Sequence, residues 1–363
     1  MKRTTSFHLM SSVLALGLAM MSGEASAWTW WIKCGATNAK WSGNVYSTSA
    51  SAVGFPVGPW RDALQSVVSH WNGNPSNLGY GISYDDPSVG LGNGQSEVWW
   101  SSGFGAPAIT NVWYNTGSCT LSEMDVRFDN TVAYTYSTSK TSLWPYGGGS
   151  RPFQTTAMHE FGHAGGLGHT ATTYNIMGQD WTHIHANGAS AIAYSGEDAD
   201  SGLVAVYGPW VNSPEDVAIA HWRYIGSSGG YSTHARTRIL NTSGVELTKV
   251  CAGCAEPVYN VSKGQQVQVE FTYENMGKTS PISANIGFYL STNDTITTVD
   301  SLLGSTSASL ARDTPFTFSS TITIPTWTTS GQTYWIGGMI DHTGLIAEGN
   351  ESNNASYIGI KVN

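Results

Sequence analysis

Three histidines and a glutamate fall within the segment "HEFGHAGGLGH", His159 to His169. On an α-helix, residues four apart lie nearly one above the other, so His159 and His163 project from one face and can hold a single metal ion from two sides. Glu160 lies one position on and reaches beside such an ion without having to ligate it. Gly166 allows a backbone conformation that other residues resist, so the chain can turn from the helix axis and return His169 as a third ligand. Three imidazole nitrogens leave one position open for water, the ligand count of a catalytic rather than a structural zinc site. Zinc lowers the pKa of bound water towards ~7 and polarises a neighbouring carbonyl. Glu160 is then placed as the general base for that water and the acid that protonates the leaving amine. The expected cofactor is Zn2+ and the expected chemistry is peptide hydrolysis. Two alternatives stand beside it: a solvated histidine cluster ended by glycines, and a metal site without catalysis. Neither gives Glu160 a reason for its place.

The elements that position these residues can be read from periodicity. "PFQTTAMHEFGHAGGLGH" is expected to be a helix that opens after Pro152 and runs out into glycines. "PWRDALQSVVSHWN", Pro59 to Asn72, has Pro in a first-turn position and Trp60, Leu64, Val67, Val68 and Trp71 at helical spacing. "GEDADSGLVAVYG" gives a third helix, ended by Gly208 and Pro209. Residues 40–51 and 78–136 read as strands between Gly, Asn, Pro and Asp turns. After Pro209 helical periodicity disappears, and "QQVQVEFTYEN", "NIGFYLS", "TFSSTITIP" and "TYWIGGMID" alternate apolar and polar residues, as an antiparallel β-sandwich requires. The expected organisation is a signal peptide at 1–27, an α+β domain at 28–210 and an all-β domain at 211–363.

The signal peptide rests on Lys2 and Arg3, the apolar run Leu9 to Met21, and the small-x-small site Ala25-Ser26-Ala27, with cleavage after Ala27. The apolar run is short for a membrane span, so a secreted, extracellular protein is expected. Charged residues make up 11% of the chain at a formal net charge of −9, and no Lys/Arg cluster marks a nucleic-acid partner. The four cysteines favour disulfides in an oxidising compartment: Cys251 with Cys254 in "CAGC", leaving Cys34 with Cys119. A four-cysteine zinc site is the alternative. His183 and His185, in "DWTHIHANG", could line a substrate pocket, but solvated loop histidines are the favoured reading.

"HExxHxxGxxH" followed by a methionine, here His159, Glu160, His163, Gly166, His169 and Met177, resembles the metzincin signature. The step from His169 to Met177, "DADSGLVAVYG" and "SEMDVRF" make residues 40–208 similar to a matrixin in particular. The resemblance implies an α+β zincin/metzincin catalytic domain, a zinc endopeptidase acting on a protein or peptide substrate, and Met177 packed beneath the histidines. Gln179 stands where matrixins usually have proline, which puts the specificity-pocket wall in doubt. The structural zinc site of the animal enzymes is missing, since Trp28 to Met158 contains only His70. "IKCGATN" at Cys34 matches the animal latency motif poorly. Asp85, Asp86 and Asp129 offer oxygens to Ca2+, which the sequence leaves open.

"FYLSTNDTITTVDSLLG" and "DHTGLIAEGNESNN" resemble the bacterial cell-adhesion-related domain, CARDB, over about residues 255–360. That likeness implies an immunoglobulin/fibronectin-like sandwich that makes cell-surface or matrix contact, on a chain read as a monomer. Asp294, Asp300, Asp341, Glu348 and Glu351 could bind calcium there, although turn formation is the favoured reading. The rival to the enzyme is a secreted adhesin whose histidine domain only binds.

Overall fold

The computed structural model describes residues 28–251 and 253–363. The signal-peptide reading of 1–27 lies outside the described residues. Among the described residues, strands with isolated bridges hold 44% and helices, 3-10 turns included, hold 15%. The expected α+β zincin class is therefore corrected to a mostly β structure. The physical reason is composition: between short helices, Gly-punctuated runs of aromatic, Ser and Thr residues extend rather than coil. Among the described residues there are three α-helices, α1 (Pro59–Trp71), α2 (Phe153–Ala164) and α3 (Glu197–Tyr207), each near its expected place.

The first half is built on a six-stranded sheet of β1 (Lys40–Trp41), β2 (Val45–Ser51), β3 (Gly79–Asp86), β4 (Glu97–Ser101), β5 (Ala108–Asn115) and β6 (Thr120–Asp129). Parallel pairing of β2 with β3 requires a crossover, which α1 supplies. β5 runs antiparallel to β6 and pairs with no other described strand, so its outer edge is open. One apolar core, from Trp30 to Tyr207, joins the sheet to all three helices. α2 is buried along its length, and is fixed by Trp71 and Trp41, whose indole N–H groups donate to the Met158 and Ala164 carbonyls at 3.2 and 2.7 Å.

The second half has two sheets. One joins β7 (Val217–Ala220), β10 (Arg238–Leu240), β12 (Gln266–Asn275) and β15 (Phe316–Thr323). The other follows the order β11 (Val258–Val261), β17 (Ala355–Val362), β16 (Thr333–Ile340), β13 (Ile282–Ser291) and β14 (Ser301–Leu310). Alternate residues such as Val267, Val269 and Phe271 meet Ile286, Phe288 and Ile336 between the sheets, forming the core of a β-sandwich. A hairpin, β8 (Trp222–Ser228) with β9 (Tyr231–Arg236), lies outside both sheets. A third apolar cluster joins the halves: Leu143, Tyr174, Ile184 and Tyr194 pack with Ala218, Ala220, Trp222 and Met276. The disulfides are Cys34–Cys119 and Cys251–Cys254.

Candidate metal centre

α2 presents His159 and His163 on one face, as the spacing demands. Gly165 ends the helix, and Gly166 takes φ +104°, where a Cβ would stand 2.2 Å from the Trp30 ring. Only glycine meets both conditions, and the turn it makes brings His169 round. The Nε2 atom of His169 lies 3.2 Å from that of His159 and 3.0 Å from that of His163. Among the described residues these three are the only group of His, Cys, Asp or Glu whose ligand atoms gather so closely.

The other ring nitrogens fix the tautomers. Nδ1 of His159 lies 2.7 Å from the Ile176 carbonyl, and Nδ1 of His163 lies 2.7 Å from the Leu167 carbonyl. A carbonyl can only accept, so each Nδ1 carries a proton, and in the neutral ring Nε2 is the atom left with a lone pair towards the common point. Burial, then His159 and His169, hold His163 well below its ordinary pKa; burial and His159 hold His169 at about 4. Converging lone pairs repel unless a cation lies between them, so this donor set suits a divalent, nitrogen-loving ion such as zinc. Met177 lies beneath: a Cβ on Gly162 would meet its sulfur at 2.4 Å, so the glycine inside the motif leaves room for it.

Glu160 is buried, and its Oε2 accepts a hydrogen bond from the Thr110 hydroxyl at 2.7 Å. Burial raises its pKa, partly opposed by His159 and Thr110. The cleft at the histidines has a volume of about 610 Å³. Ala106 to Thr110, at and before the start of β5, form one side; Trp31, Trp181, Tyr231 and Ser232 also line it. The Trp31 ring lies 4.9 Å from that of His163, and the Tyr231 ring 4.5 Å from that of His169. Arg151 grips Asp180 through both carboxylate oxygens at 2.6 and 2.8 Å. Burial pushes Asp180 up, but Arg151 and His159 outweigh it and hold the pKa below its usual value.

Thr110, Trp31 and Tyr231 escape sequence reasoning because each reaches the cleft from an element remote in sequence, whereas Arg151 and Asp180 lie near the motif but belong to no recognisable pattern. The solvated reading of His183 and His185 is corrected: both are buried. Apolar packing at the junction is the reason; His183 lies between the Tyr174 and Tyr194 rings, and His185 bonds the Ile219 carbonyl at 2.9 Å. Four of the acids offered for calcium make local bonds. Asp85 pairs with Arg61, Asp129 bonds Thr131, Asp294 pairs with Lys140, and Asp341 accepts from the Leu345 and Ile346 amides.

Residues 252–357 match the CARDB family, so this stretch is a CARDB domain. The match does not reach the histidine segment. No curated protein matches the chain. Among solved structures, the CARDB domain of a Pyrococcus furiosus protein, crystallised in complex with di-metal ions, is 19% identical, covers 29% of this chain and 79% of its own, and has a TM-score of 0.23. A putative β-galactosidase from Bacteroides fragilis is 17% identical over 28% of this chain and 15% of its own, with a TM-score of 0.20. OgpA from Akkermansia muciniphila is 11% identical over 89% of this chain and 93% of its own, with a TM-score of 0.24. Similarities this slight add nothing about the present molecule. Among the described residues, no helix is long and apolar enough to cross a membrane.

Proposed function

We propose that the chain is a secreted, zinc-dependent endopeptidase that cleaves extracellular proteins, with residues 28–210 carrying the chemistry and 211–363 a binding module. One observation carries the reading: three imidazoles bring their Nε2 atoms together at one point, with a buried carboxyl group beside it in an open cleft. The order of residues through His159, Glu160, His163, Gly166, His169 and Met177, similar to that of matrixins, supports the same chemistry. His159, His163 and His169 would hold the ion. When bound, zinc supplies a Lewis acid that makes water acidic and polarises a carbonyl. Glu160 takes the proton from the attacking water and delivers it to the departing amine. Thr110, donating to Oε2, holds the carboxyl group in register for that transfer. The open edge of β5 offers backbone groups to an extended peptide, the usual way of seating a chain segment beside a sheet.

Substitution of Glu160→Gln keeps the three imidazoles and removes the base. The expected result on a casein or gelatin substrate is a loss of roughly 100- to 10,000-fold in rate, with bound zinc unchanged by elemental analysis. Equal hydrolysis by the variant would overturn the mechanism.

The CARDB domain at 252–357 favours a second reading, a secreted adhesin whose histidine centre only binds. Cleavage of casein by the native protein, abolished by a chelator, separates the enzyme from the adhesin.

A further inference from the structure

The hairpin β8–β9 belongs to the second half of the chain, yet its tip closes over the histidine centre. Ser228 pairs with Tyr231, leaving Gly229-Gly230 as a two-residue turn, with Gly229 at φ +63° as such turns require. Ser228, Tyr231, Ser232 and Thr233 line the cleft. Four contacts seat the hairpin on the loop that follows His169. The Gln179 side chain accepts from the His234 amide at 2.9 Å, and the Tyr224 hydroxyl donates to the Ala171 carbonyl at 3.2 Å. Thr182 bonds His234 Nδ1 at 3.1 Å. A Cβ on Gly178 would stand 1.9 Å from Ser232 Oγ, so the hairpin sits where only glycine admits it.

Gln179 is the residue that departs from the matrixin pattern, and here it serves as a clamp for this hairpin. The Tyr231 ring covers His169 but remains 49% exposed on the cleft side, and its hydroxyl has no hydrogen-bond partner among the described residues. Across the cleft lie Ala106 to Thr110 and the open edge of β5. A cleft with a strand edge on one side and an unpartnered phenol hydroxyl on the other fits an extended polypeptide, whose main chain accepts hydrogen bonds on both flanks.

We propose that the hairpin Trp222–Arg236 is the second wall of a peptide-binding cleft, and that the Tyr231 hydroxyl positions an extended peptide by donating to its main chain. This rests on the peptidase reading for its choice of ligand. The second half of the chain then shapes the site directly, beyond any binding of its own.

The test uses the full chain carrying Glu160→Gln, loaded with zinc, and fluorescein-labelled unfolded casein, with the dissociation constant read by anisotropy. Adding Tyr231→Phe, which removes one donor, is expected to weaken binding about fivefold, the scale of one hydrogen bond. Tyr231→Ala is expected to weaken it tenfold or more, with zinc content and melting temperature of the Phe variant unchanged. A Tyr231→Phe protein that binds casein within twofold of its parent would overturn the proposal, as would a parent that binds no casein. A parent that binds casein while the native protein fails to cut it would sink the peptidase reading and leave the wall standing.

Discussion

His159, Glu160 and His163 are legible in sequence because a helix converts spacing into direction within two turns, and no distant residue is needed to know that two imidazoles share a face. Thr110 is illegible for the opposite reason. It meets Glu160 only because β5 crosses above α2, fifty residues from it in sequence. Thr110→Val keeps the shape and removes the hydroxyl. Loss of one hydrogen bond to a buried carboxyl group, about 1.5 kcal/mol, should lower kcat/KM for peptide hydrolysis roughly tenfold with zinc content unchanged. An unchanged kcat/KM would mean that Glu160 needs no help from Thr110.

At the scale of elements, the three helices follow from apolar periodicity and from Pro and Gly punctuation at their ends. The balance between helix and strand does not: the recognisable helices draw attention away from the longer, irregular β segments between them, and the α+β expectation fails there. The cysteine pairings are legible from spacing. Cys34–Cys119 closes a loop of 85 residues and ties the N-terminal segment to the end of the sheet, whereas Cys251–Cys254 spans only three positions. In the loop-entropy account, the long loop is worth about 4.6 kcal/mol and the short one about 1.6 kcal/mol. Replacing Cys34 and Cys119 together by Ala should therefore lower the denaturation midpoint far more than replacing Cys251 and Cys254. Equal losses in urea titrations would show that chain entropy does not set the difference.

Across the whole molecule, the junction between the halves gathers buried acids that no sequence pattern announces. Glu197, Asp198 and Asp200 from α3 face Asp216, Glu274 and Glu348 from the second half, with Arg312 as the nearby cation. Burial, then neighbouring carboxylates, push Asp198 to about 8; burial is also the first cause that brings Asp216 and Glu274 to about 7 and Glu348 to about 8. A carboxyl group with a raised folded pKa holds its proton longer in the native state. Its stabilisation is full below the unfolded value near 4 and is lost as pH rises through 7 to 8. His70 and His185, held at about 4 by burial, act oppositely but only below pH 6.5. The melting temperature should therefore fall as pH rises from 6.5 to 8.5, and Glu274→Gln should flatten the slope. A melting temperature that climbs over that interval would contradict this account of the junction.

The proposed chemistry depends on one divalent ion held by His159, His163 and His169. X-ray absorption at the zinc edge, on the purified full chain with its metal content measured, tests it directly. One zinc per chain with three imidazole nitrogens is expected, and loss of that signal in His163→Ala. A chain folded without stoichiometric metal, or metal whose ligands survive the His163→Ala change, would contradict it.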